Sequence, residues 1–83
     1  MDKVLICLEV PSISRIYEVY VPDFLPVREV IRLLVRALRE LSGDVYVSSG
    51  SELLCSRTGD FLLDESATLS AYDIRDGDHL MLT

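Results

Sequence analysis

The sequence has no tryptophan, one histidine, one lysine, two cysteines and no unbroken apolar run longer than five residues. Each shortage closes off a class of function. Runs such as Val4 to Leu8 fall far short of the roughly 20 residues that span a bilayer, so no direct membrane insertion is expected. The start, Met1-Asp2-Lys3, leads straight into that run without a basic n-region or a cleavage site, and a cytoplasmic location follows by default. His79 is the one imidazole. A His-based metal site or a Cys–His pair would have to be built around it in the last predicted strand, where a half-exposed strand residue is the plainer reading. Cys7 and Cys55 have no CxxC spacing and read as free thiols of a reducing compartment, with one disulfide as the alternative.

Acidic and apolar residues are what the chain does have. Fourteen acidic against eight basic side chains give a net charge of −6, a sign that repels phosphate backbones and anionic headgroups, so nucleic acid is not an expected partner. Hydrophobic residues make up 49% of only 83 positions. That length holds a single domain, 1–83, with a thin core to which every strand and helix must contribute.

Lys3 to Val10 and Arg15 to Val21 are rich in β-branched and aromatic types and flank Pro11-Ser12-Ile13-Ser14, which predicts a hairpin. Alternation sends Val4, Ile6 and Leu8 inward and leaves Leu5, Cys7 and Glu9 outside. In the second strand Tyr17, Val19 and Val21 share the core face, opposite Ile16, Glu18 and Tyr20. After Pro22-Asp23-Phe24-Leu25-Pro26 a helix is predicted to run to about Leu41. Its apolar stripe is Val27, Val30, Ile31, Leu34, Leu38 and Leu41, and Gly43 is placed for a left-handed C-terminal cap. Residues 44–51 read either as a short strand over Val45 to Val47 or as an ordered loop. Strands follow at Leu53 to Arg57 and Phe61 to Leu63 around a Thr58-Gly59-Asp60 turn. A single helical turn is expected over Thr68 to Tyr72, and a last strand, His79 to Leu82, after the Asp76-Gly77-Asp78 turn.

The order β-β-α-β-β-(turn)-β with one amphipathic helix predicts an α+β chain in which the helix lies across a mixed sheet. The last strand then closes beside the first, with Leu82 next to the Val4 to Leu8 segment. That arrangement is the β-grasp. Leu63 to Ile74, with its Thr-Leu-Ser-x-Tyr-x-Ile order, resembles the corresponding segment of ubiquitin. The resemblance implies that Leu69 and Ile74 enter the core while the Tyr72 hydroxyl ties down a backbone loop. Val21-Pro22-Asp23-Phe24-Leu25-Pro26-Val27 and Ile74-Arg75-Asp76-Gly77-Asp78-His79-Leu80-Met81-Leu82 are similar to the helix entry and the I-x-D-G-D-x-L-x-L ending of the YukD/EsaB ubiquitin-like group. That group and the related EccD N-terminal domain are associated with type VII (WXG100, ESX-like) secretion. The resemblance spans most of the chain except residues 44–51. It implies a bacterial, non-catalytic accessory or regulatory protein with partners in the secretion machinery at the cytoplasmic side of the membrane.

Chemistry is not expected. The chain stops at Thr83 with no Gly-Gly tail, so conjugation is not anticipated. The acidic pairs Asp64/Glu65 and Asp76/Asp78 read as solvated turn-formers, and there is no phosphate-cradling loop, cofactor motif or metal set. Two surfaces remain as candidate partner sites. Arg28, Arg32, Arg36 and Arg39 form an outward ridge on the helix, read either as a solvated face or as a dock for acidic segments. The helix-distal sheet face offers Leu5, Cys7, Leu53 or Leu54, Cys55, His79 and Met81, of which Leu54, Cys55, His79 and Met81 are the chosen candidates. An apolar patch there marks a partner site or a homodimer contact. The alternative function is a ubiquitin-like adaptor domain of an unrelated complex.

Overall fold

The computed structural model describes residues 3–83; the Met1-Asp2 start falls outside them. Strand β1 (Lys3–Val10) turns through Pro11–Ile13 into β2 (Arg15–Pro22), with Ser14 in the left-handed region at φ 53°. Helix α1 (Val27–Leu41) follows, and β3 (Leu54–Ser56), β4 (Phe61–Leu62), a helical turn at Ser70–Tyr72 and β5 (His79–Leu82) complete the chain. The sheet order is β2-β1-β5-β3-β4. β5 runs parallel to β1 (Leu80 opposite Leu8), while the other pairs are antiparallel. This mixed sheet clasping one helix is the ubiquitin-like β-grasp. The paired register ends at Glu9 opposite Met81, so Leu82 lies one step beyond, level with Val10 and past the Val4 to Leu8 segment expected for it.

Period-two burial in β1 and period-3.6 burial in α1 meet in one apolar layer. Val4, Ile6, Leu8 and Val10 of β1 pack with Val27, Val30, Ile31, Leu34 and Leu38 of the helix and with Leu54, Leu80 and Leu82 of the closing strands. Each such side chain contributes about 1.5–3 kcal/mol on removal from water. Leu41 departs from expectation: it is 51% exposed. It points along the same direction as Leu34 but sits two turns nearer the helix end, where the chain folds back and the amide of Asp44 bonds Arg39 O at 2.8 Å. Gly43, at φ 64°, makes that reversal without the steric penalty a Cβ brings.

The two ends of α1 are closed differently. At the start, the amides of Val27 and Arg28 donate to the carbonyls of Ala67 (2.7 Å) and Glu65 (3.0 Å), which satisfies helix N–H groups that have no partner within the helix. Tyr72 accepts the Asp64 amide at 2.8 Å, Leu69 is buried and Ile74 packs against the core, as the family resemblance implies. The Asp76-Gly77-Asp78 turn is fastened to β1: Leu5 N–H donates to Asp76 Oδ1, Gly77 N–H to Leu5 O and Cys7 N–H to Asp78 O, each at 2.9 Å.

Residues 44–51 form no strand. They are an ordered loop organised by one carboxylate. Glu52 Oε2 accepts the Tyr46 hydroxyl (2.9 Å), the Ser48 hydroxyl (2.7 Å) and the Ser49 amide (2.9 Å), while the Tyr46 amide donates to Ser42 Oγ. Tyr46 and Glu52 are both buried.

Candidate partner-binding surfaces

On the helix, Arg28, Arg32, Arg36 and Arg39 are all exposed, as the sequence anticipates. Arg32 is drawn to Glu29 in an i,i+3 ion pair of 2.9 Å, a contact worth a few tenths of a kcal/mol on a solvated helix. The ridge is not isolated. Arg28 and Arg32 line a cleft of about 460 Å³ with Ile31 and Val35 beside it and Ser48 and Gly50 opposite. Arg39 borders a second hollow of about 500 Å³ with Asp44, Val47 and, again, Ser48. The Glu52-organised loop therefore forms the far bank of both hollows, and Arg36 borders neither.

The pinned loop has shifted protonation equilibria. Burial of Tyr46, reinforced by its hydrogen bond to the Glu52 carboxylate and by that negative charge, pushes the phenol up to about 12. Burial alone raises the Glu52 carboxyl; the hydrogen bonds from Ser48, Tyr46 and the backbone amides outweigh it and hold the group below the usual carboxylate range. Both shifts preserve a neutral phenol donating to an ionised carboxylate.

The helix-distal sheet face is read directly from the strand registers. Ile16 lies opposite Glu9, Glu9 opposite Met81, Met81 opposite Cys55 and Cys55 opposite Leu62, so one row crosses all five strands. A second row holds Glu18, Cys7 and His79, and a third Tyr20 and Leu5. Leu53 extends the patch, its backbone exchanging two hydrogen bonds with Thr83 at 2.9 Å. Ile16, Tyr20, Leu53 and Leu62 are 63, 62, 41 and 56% exposed. The single carboxylate in the five-strand row is countered: Arg57 lies 3.6 Å from Glu9, and its guanidinium is 3.9 Å from Met81 Sδ.

Of the sheet residues chosen from sequence, His79 is exposed and Cys55 and Met81 are half-buried on this face. Leu54 is not on it. It pairs with Leu82 and is 1% exposed, so its side chain is core and its neighbour Leu53 takes the outer position. Cys7 and Cys55 share the face as free thiols. β5 lies between their strands, a lateral separation of about 9–10 Å that exceeds disulfide reach. Ile16, Tyr20, Leu62 and Arg57 were not chosen from sequence. The alternation of β2 already placed the first two beside Glu18, whereas Leu62 and Arg57 join only through the β3–β4 and β3–β5 registers.

A family model described as "WXG100 protein secretion system (Wss), protein YukD" matches residues 9–82. The chain belongs to the YukD family. It is thus a ubiquitin-like domain associated with type VII secretion. Among solved structures, the ubiquitin-like domain of the Mycobacterium tuberculosis type VII secretion protein EccD1 is similar over 100% of this chain and 99% of its own, with 18% identity and a TM-score of 0.78. The EccD5 ubiquitin-like domain from Mycobacterium xenopi is similar over 100% and 94%, with 19% identity and a TM-score of 0.71. A chain of the ESX-3 core complex, protomer 1, matches 98% of this YukD-family chain across 16% of its own length, with 23% identity and a TM-score of 0.71. No curated protein matches in sequence. Among the described residues, no helix of the YukD-family chain is long and apolar enough to cross a membrane.

Proposed function

We propose that this YukD-family chain is a non-catalytic protein-binding module, an accessory or regulatory component of a type VII secretion system that works at the cytoplasmic side of the membrane and is not conjugated to targets. The observation that carries the reading is the row Ile16–Glu9–Met81–Cys55–Leu62, an apolar band across the whole sheet whose one charge is paired. Bands of this kind on a small domain mark protein contacts. The arginine ridge is the second contact surface, suited to carboxylates of an acidic segment. Similarity to a chain of an ESX core complex supports partners within the secretion machinery.

The test is capture of secretion-machinery components from the native host by the tagged protein, comparing wild type with Leu53→Asp/Leu62→Asp and with Arg32→Glu/Arg36→Glu. All four positions are exposed, so circular dichroism and thermal melting should be unchanged. The sheet-face variant is expected to lose capture by about tenfold or more, and the ridge variant to lose less and in a salt-dependent way. Capture unchanged in both variants, or covalent adducts of the protein in the host lysate, overturns the reading.

A further inference from the structure

The outer edge of β2 is open. In β1, the Leu5 and Cys7 amides and the Leu5 carbonyl bond to the 76–78 turn, so those residues direct their backbone groups away from β2. The alternate residues, Val4, Ile6, Leu8 and Val10, therefore pair with Val21, Val19, Tyr17 and Arg15. That leaves Ile16, Glu18 and Tyr20, each with one N–H and one C=O aimed off the edge of the sheet, and no described residue bonds to them. The side chains of the same three residues stand on the helix-distal face, with Ile16 and Tyr20 more than 60% exposed.

We propose that this edge accepts an extended segment of a partner protein as a sixth, antiparallel strand. The segment carries a lysine or arginine opposite Glu18 and apolar side chains two residues to either side, opposite Ile16 and Tyr20. Directly opposed side chains in an antiparallel pair share a face, so opposite charges and apolar pairs add to the backbone bonds. A second copy of the chain fits poorly. The self-pairing with most overlap sets Glu18 against its own equivalent, between two molecules that each carry −6. Moving by one step in one direction sets Pro22, which has no N–H, against Ile16. Moving the other way sets Ser14, which is in the left-handed region, against Tyr20. Glu18 thus works against homotypic pairing while selecting a cation. The inference rests on the binding-module reading but uses the open backbone edge of β2, which adjoins the apolar row at Ile16, and its test needs no secretion component.

The test uses the capped peptide Thr-Val-Thr-Lys-Thr-Val-Thr and its Lys→Glu counterpart, titrated into the isotopically labelled protein and followed by amide NMR shifts and hydrogen exchange. The lysine peptide is expected to shift the Ile16, Glu18 and Tyr20 amides and slow their exchange. The glutamate peptide should bind about fivefold more weakly or worse, and Glu18→Lys should reverse the order. Glu18 is exposed, and an unchanged spectrum outside β2 shows that the variant is folded. Shifts centred on the Met81–Leu62 row or on the arginine ridge overturn the proposal, as does equal binding of both peptides. Concentration-dependent shifts of the β2 amides without peptide identify a second copy as the occupant and also overturn it. Loss of partner capture in the sheet-face variant alongside a failed peptide titration leaves the binding-module reading standing without the edge.

Discussion

The helix–sheet core and the 44–52 loop are held by opposite kinds of force. In the core, the side chains of Val4, Ile6, Leu8, Leu38 and Leu80 are purely apolar and pack in one buried cluster. In the loop, one buried carboxylate gathers a phenol, a hydroxyl and an amide. The core's stability therefore follows buried area and packing and is indifferent to pH, while the loop's stability depends on the ionisation of two groups.

The largest effect that tests this contrast is Leu8→Ala. Leu8 is fully buried at the centre of β1, and the cavity should cost about 2–5 kcal/mol by urea denaturation. Protection from amide exchange should fall in core and loop together, because Tyr46 of the loop belongs to the same buried cluster as Leu8.

Glu52→Ala should behave differently. It leaves the Tyr46 hydroxyl without an acceptor and should cost about 1–3 kcal/mol. Exchange should quicken at Tyr46 and Ser49 well before it does at Leu8; equal acceleration everywhere would show that the loop is not a separate unit.

The pH dependence sharpens the same point with a smaller effect. The Glu52 carboxyl titrates lower when folded than its ordinary value of 4.5. Its contribution is thus complete above that value and is lost as pH falls through the folded one. The Tyr46 phenol titrates at about 12 against an ordinary 10.0. The stability linked to it is complete below 10.0 and is lost as pH rises toward 12. Denaturation midpoints should decline at both extremes, and Glu52→Gln, which removes the charge that helps hold the phenol up, should flatten both limbs; unaltered limbs would sever the loop from the titration.

The smallest effect is expected at Leu41→Ala. An exposed residue at a helix end should change stability by less than about 0.5 kcal/mol. A loss near that of Leu8→Ala would return Leu41 to the core.

Most of the architecture was legible because its forces are periodic. The alternation in Val4-Leu5-Ile6-Cys7-Leu8 and the stripe from Val27 to Leu38 each encode a direction, and the structure buries those sides. Leu41 shows the limit: periodicity fixes which way a side chain points, not where the opposing sheet stops. Leu54 shows another. A three-residue strand has too little alternation to set its own parity, and pairing with Leu82 decided it. The Tyr46–Glu52 arrangement was illegible because a serine-rich polar stretch carries no period, and its organising contact depends on a burial that only the fold creates. For the candidate surfaces, local pattern sufficed for the ridge, whereas the five-strand row needed registers between distant segments.

The carbonyls of Glu65 and Ala67 at the first turn of α1 have a last consequence. Helix beginnings are common landing places for phosphate because their amides are left over. Here the leading amides are already taken by the protein's own backbone. A phosphorylated partner would find no vacant cradle at that pole, and on this helix the cations left for it are the exposed guanidinium groups of the ridge.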